Sequence, residues 1–134
     1  FPTVCELAGV AIPHQLAGKS LVPVMKKTAS SVKDFSVSQF PRSNLKSETG
    51  RLGYVATTAM GYSIRTQQYR FTIWMKNNFT SAQPFDAALV VGSELYDYKK
   101  DPLETINVVS EKAYASAYKN MYQKMINFFK TQVK

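Results

Sequence analysis

Residues 58–76, TAMGYSIRTQQYRFTIWMK, constrain the fold of this chain more than any other stretch. Tyr69, Phe71, Ile73 and Met75 fall on one side of an extended backbone, and Arg70, Thr72, Trp74 and Lys76 on the other. That two-residue period marks a half-buried strand. Met60, Tyr62 and Ile64 alternate in the same way with Gly61, Ser63 and Arg65. The polar Thr66, Gln67 and Gln68 connect the two runs as a hairpin turn, although no Asn-Gly or Asp-Gly pair fixes its type. A hairpin this apolar on one side is not stable alone in water. Another part of the chain must cover it.

The cover is at the C-terminus. Tyr114, Tyr118, Met121, Met125, Phe128 and Gln132 follow at three- and four-residue steps, an amphipathic helix whose aromatic stripe is wide enough for a sheet. Ser110 is the expected N-cap, with Glu111 in the first turn, and Lys124, Lys130 and Lys134 suit the far end of the helix dipole. Phe35, Val37 and Gln39 alternate with Ser36, Ser38 and Phe40, a short strand beside the hairpin that Pro41 closes. Residues 42–53 and 77–86 read as polar loops, and 89–98 as a further apolar segment before the Asp101-Pro102 turn. At the other end, residues 1–8 read as the tail of a helix that Gly9 terminates. Pro13 and Pro23 argue against regular structure around them, and 26–33 reads as polar and mobile. The expected architecture is α+β: a small antiparallel β-sheet of about four strands packed against a long C-terminal α-helix. Two regions are expected, 1–33 and 34–134.

With 134 residues and 45% hydrophobic content the chain is one domain or a piece of a larger one. No apolar run approaches the roughly 18 residues of a membrane-crossing helix, so no membrane partner is expected. No signal peptide is visible, and a chain that starts at Phe1 reads as a processed or truncated product. The net charge of +8 suits a polyanionic partner, nucleic acid or a sulfated glycan. The basic residues are nevertheless dispersed, with only Lys26-Lys27 and Lys99-Lys100 adjacent, and no nucleic-acid-binding motif accompanies them. Nucleic acid is therefore not expected.

The single cysteine, Cys5, excludes an internal disulfide and a thiolate metal cluster. A pairing with the single histidine, His14, is formally open, but Cys5 sits in an apolar helical run and reads better as a small buried hydrophobe. Glu94 and Asp97 form a conceivable carboxylate pair without a partner histidine or cation site, and Asp97 and Asp101 read better as turn formers. No Gly-x-Ser-x-Gly elbow, phosphate loop or His-Glu-x-x-His is present. Asn78-Phe79-Thr80 matches the glycosylation sequon, which matters only in a secretory context.

Several motifs in fixed order carry a resemblance. Phe1-Pro-Thr-Val-Cys-Glu-Leu-Ala-Gly9 and Gly18-Lys-Ser-Leu-Val-Pro23 are followed by Ser38-Gln-Phe-Pro-Arg42 and Met60-Gly-Tyr-Ser-Ile-Arg-Thr66. Tyr69-Arg70, Thr72-Ile-Trp74, Gly92-Ser-Glu-Leu-Tyr-Asp97, Asp101-Pro-Leu-Glu104 and Asn107 come next. Together they resemble the C-terminal part of the sulfatase family, of the alkaline phosphatase-like superfamily, and are most similar to its iduronate 2-sulfatase branch.

The resemblance implies a large N-terminal catalytic domain and a smaller C-terminal subdomain of antiparallel sheet and long helix. It implies a formylglycine, made from the Cys or Ser of Cys/Ser-x-Pro-x-Arg, whose hydrate attacks the sulfate sulfur, and a calcium ion held by Asp and Asn or His side chains. Cys5 is followed by Glu6, Leu7, Ala8 and Gly9, so it is not that modification site. The chain alone is therefore expected to be inactive, to pack on the catalytic domain of the same protein, and to line a cleft for sulfated glycosaminoglycan. Region 1–33 would end the preceding domain and 34–134 would be the C-terminal subdomain. The parent would be periplasmic, secreted or lysosomal. For an anionic substrate the candidate residues are Arg42 and then Arg65, each with a structural ion pair or loop hydrogen bond as the competing role. Trp74 lines the cleft or packs on the parent. A sulfatase of other specificity, a phosphoester-cleaving relative, and a stand-alone basic polyanion-binding module are the alternatives. A piece of a larger domain should also expose an apolar patch on its sheet or first helix and self-associate through it.

Overall fold

The computed structural model describes residues 1–14, 16, 18–43, 57–76 and 85–132. They form two compact units, Phe1–Asp34 and Phe35–Lys134.

The larger unit is a four-stranded antiparallel sheet in the order β1-β2-β3-β4, with β1 Ser36–Ser43, β2 Thr57–Arg65, β3 Tyr69–Met75 and β4 Val90–Asp97. The expected hairpin is its centre: Tyr62 lies opposite Ile73 and Ile64 opposite Phe71. Thr66 closes the turn, its N–H and hydroxyl both meeting the Tyr69 carbonyl. Phe71 in turn faces Leu95 on β4. A C-terminal helix spans Ala115–Gln132 and is called α3, after two short N-terminal helices described below. Ile64, Phe71, Ile73 and Leu95 are fully buried on the helix side of the sheet, together with Met125 of α3. Aromatic edges lock the layers: Phe71 meets Tyr118 with centroids 5.5 Å apart, and Tyr62 meets Phe129 at 4.9 Å. Such edge-to-face pairs add about 0.5–1.5 kcal/mol beyond their area burial. The α+β architecture read from the sequence is the one observed.

Two boundaries differ from the sequence expectation. Pro41 does not close β1; it sits inside the strand opposite Met60. A proline cannot donate to the ladder, but β1 is an outer strand, where one side needs no donor. Ser110 does not cap the helix. The chain instead enters through a 3-10 turn at Lys112–Tyr114, preceded by Glu111 and without any side-chain cap. The cause lies just upstream. Val108 donates its N–H to the Leu95 carbonyl at 2.9 Å, and the Asn107 side chain accepts from Leu95 N–H at 2.9 Å. Residues 107 and 108 are thus bound along β4, and the helix starts only after they are released.

The smaller unit holds α1, Pro2–Leu7, and α2, Val22–Met25. Pro2 opens α1, where a missing N–H costs nothing. Gly9 follows it with φ +66°, the left-handed geometry that ends helices. Pro23 does not prevent structure as expected, because it too lies in the first turn of a helix. The stretch expected to be mobile is tied back by Thr28 and Ala29 N–H groups, both donating to the Pro23 carbonyl. Pro2, Cys5 and Val22 are the buried residues of the two helices.

Candidate functional site

Strand alternation gives the sheet a second face, turned away from α3, and of the sequence-predicted cations Arg65 belongs to it. Trp74 lies between Gly61 of β2 and Gly92 of β4, its direct neighbours across the ladders. A Cβ at Gly61 would stand 2.7 Å from Cζ3 of the indole, so the ring fills the space a side chain would take. Its Nε1–H donates to Glu94 Oε1 at 2.8 Å, and the Tyr96 hydroxyl donates to the other oxygen of Glu94 at 3.3 Å. Beside them the Thr72 hydroxyl meets that of Ser63 at 3.0 Å.

A second cluster occupies the turn end of this face. Arg70 forms an ion pair with Glu104, and the Tyr98 hydroxyl donates to the remaining Glu104 oxygen. The Arg65 guanidinium lies over the Tyr98 ring, 4.5 Å from its centroid. Burial, and then the hydrogen bond to Glu104, push the Tyr98 hydroxyl above its ordinary pKa. Burial and then the Glu94 charge do the same to Tyr96. Both tyrosines therefore remain donors at neutral pH, which keeps each carboxylate paired. Glu104 adopts φ 57°, a left-handed conformation rare for a non-glycine residue, and its two partners hold it there.

The sequence candidates fall out as follows. Arg65 is on this face at the end of β2, exposed, and stacked on Tyr98. Arg42 is in β1 opposite Ala59; its side chain lies outside the described residues. Trp74 is on the same face with its N–H held by Glu94. Glu94 and Asp97 are not a pair, because three residues along a strand reverse the face. Asp97 points to the helix side, where it is buried and accepts from Gln68 Nε2 at 3.2 Å, Lys99 N–H at 3.0 Å and Tyr114 hydroxyl at 3.3 Å. Cys5 is buried in α1 while His14 is exposed. The sequon at Asn78 lies outside the described residues. Tyr98, Glu104 and Arg70 were not among the candidates. Their signal was available in the outward alternation of Arg70 and in a glutamate three residues past the turn at Asp101.

No group of His, Cys, Asp and Glu among the described residues gathers to hold a metal ion. Cys5 lies within α1 and is followed by Glu6, Leu7, Ala8 and Gly9 rather than by x-Pro-x-Arg. On the outer face the carboxylates of Glu94 and Glu104 are engaged by neighbouring side chains, and Arg65 and Arg70 lie at the turn end.

The N-sulphoglucosamine sulphohydrolase C-terminal family matches residues 1–131. The chain belongs to this family of sulfatase C-terminal domains. A Δ4,5-hexuronate-2-O-sulfatase of Bacteroides thetaiotaomicron is 32% identical over 115 residues, which is 86% of this chain and 19% of that enzyme. Arylsulfatase K of Rattus norvegicus is 28% identical over 111 residues, 83% of this chain and 17% of the relative. The chain thus spans less than a fifth of the length of these curated relatives. A Bacteroides thetaiotaomicron crystal structure assigned as a sulfatase superposes with a TM-score of 0.68 at 24% identity, over 98% of this chain and 23% of the other. That likeness is one of fold.

Proposed function

We propose that the chain is the C-terminal part of a sulfatase that hydrolyses sulfate esters on glycosaminoglycan uronates, in the manner of the iduronate 2-sulfatase branch. In this reading it packs on the catalytic domain of the same protein and lines the substrate cleft. Arg42 and Arg65 meet the anionic sugar. The formylglycine and calcium belong to the preceding domain, and the parent works in a periplasmic, secreted or lysosomal compartment. The observation that carries the reading is the similarity, across 86% of the chain, to an enzyme named for hexuronate-2-O-sulfate.

The test compares the full-length parent with the 134-residue chain in a sulfate-release assay on an unsaturated 2-O-sulfated uronate disaccharide. The parent is expected to release sulfate and the chain alone to release none. Arg42→Ala and Arg65→Ala in the parent should each lower kcat/KM by about tenfold to a hundredfold, the worth of one charge-assisted hydrogen bond. A parent that cleaves only hexosamine sulfates defeats the uronate assignment. The net charge of +8 favours a second reading, a basic module that holds polyanions without catalysis. Activity of the parent on any sulfate ester decides against it.

A further inference from the structure

Arg65 and Arg70 face each other directly across the β2–β3 ladder. Like charges in that position repel, so each needs something to hold it. The two solutions differ. Arg70 forms its ion pair with Glu104, and the other Glu104 oxygen accepts from the Tyr98 hydroxyl. The Arg65 guanidinium has no carboxylate partner among the described residues; it lies over the Tyr98 ring, 4.5 Å from the centroid. Arg70 is thus spent inside the cluster, whereas Arg65 is exposed and held by its face.

Stacking on a ring uses the flat face of a guanidinium and leaves its fork of N–H donors at the rim. The ring itself is tied at both ends. Its hydroxyl is fixed through Glu104 to Arg70, and the Tyr98 N–H donates to the Gln68 carbonyl at 2.8 Å. Gln68 belongs to the turn that follows Arg65, so ring and guanidinium are mounted on one frame. With Arg70 matched by Glu104, the net positive charge of the cluster rests on its exposed member. A cation whose plane is set in advance suits a planar acceptor that offers two oxygens, and a carboxylate has that geometry. A 2-O-sulfated uronate carries two anionic groups. The ester sulfate is the one that the residues proposed for the preceding domain would act on, which leaves the carboxylate for a cation on this chain.

We infer that Arg65 binds the carboxylate of the uronate through the rim of its guanidinium, and that Tyr98 is the positioning residue that sets the guanidinium plane. This rests on the chain being part of a uronate sulfatase. It adds which group of the sugar the cation meets and what aims it.

A cycle between protein and substrate tests both parts, run on the full-length parent. The substrates are an unsaturated 2-O-sulfated uronate disaccharide and its carboxyl-reduced counterpart, which keeps the sulfate. Arg65→Ala should lower kcat/KM by about tenfold to a hundredfold on the uronate and by no more than about threefold on the reduced sugar. Arg65→Lys, which keeps the charge but not the fork, should recover little of that loss. Tyr98→Phe keeps the ring but frees it from Glu104, and Tyr98→Leu removes it. The first should cost about threefold and the second about tenfold, again on the uronate, with most of the change in KM. A merely structural role would instead lower turnover of both sugars together. Equal losses on the two sugars for Arg65→Ala overturn the carboxylate assignment. Losses for Tyr98→Leu that are absent, or equal on both sugars, overturn the positioning role. A parent that releases sulfate from neither sugar removes the functional reading and this assignment with it, whereas a parent active on both without such coupling sinks this assignment alone.

Discussion

Gly61 shows how one missing side chain organises a whole sheet face. The Trp74 ring occupies the place of its Cβ, with Gly92 on the other side. Gly61→Ala must move the indole or the strand, and overpacking of this kind costs about 1–3 kcal/mol. A urea unfolding curve should show the midpoint fall, whereas Gly92→Ala, whose Cβ would sit at an ordinary 3.8 Å, should be milder. Asp101 gives a pH-dependent case. Its carboxylate accepts from Ile106 N–H at 2.8 Å and from the Thr105 hydroxyl at 3.2 Å, and the Ile106 bond first of all holds its pKa below the ordinary 3.8. A depressed carboxyl pKa stabilises the fold at every pH above the ordinary value and loses that contribution as pH falls below it. Asp101→Asn should therefore be less stable than the native chain at pH 7, with the gap closing toward pH 2. Thermal unfolding across that range checks the sign.

At the scale of elements, the clearest parts in the sequence were those with strong periodicity. The hairpin alternation and the aromatic stripe of α3 both follow from burial on one face, and burial leaves a pattern. The helix start did not, because Ser110 looks like a cap locally while the true constraint is the bond of Val108 to a strand thirteen residues back. Pro41 was misread for a related reason: whether a proline ends a strand depends on which neighbour the strand has. The arginine cluster was half legible, since alternation places Arg65 and Arg70 outward but the Glu104 backbone at φ 57° has no composition signal. Asn107 is the element-scale test. It gives Leu95 N–H an acceptor and lies against β4 as a side-chain substitute for another strand. Asn107→Ala leaves that N–H unmet and should cost about 1–3 kcal/mol, while Asn107→Asp, which keeps the acceptor, should recover most of it. Denaturant midpoints of the two variants separate acceptor loss from packing.

For the molecule as a whole, eight of the twelve exposed large apolar residues among the described ones lie within residues 1–25, and the outer sheet face carries Arg65 and Arg70. Arginines already engaged with Tyr98 and Glu104 attract a polyanion more weakly than free ones do. The 134-residue chain should therefore leave a heparin column near physiological ionic strength, about 0.15 M, where screening reaches within roughly 8 Å. Retention to about 1 M would instead favour the stand-alone polyanion-binding reading.

The placement of Trp74 has an optical consequence. It is the one tryptophan of the chain, and it lies on the outer sheet face against two glycines and a carboxylate. Tyr62, Tyr118 and Tyr122 are packed on the opposite side, among the aromatic residues of the core. Emission excited at the red edge of the absorption band thus reports the outer face alone. Near-ultraviolet dichroism in the tyrosine band is weighted toward the helix side. The outer face of the sheet thus carries its own optical label, and events there can be followed without attaching a dye.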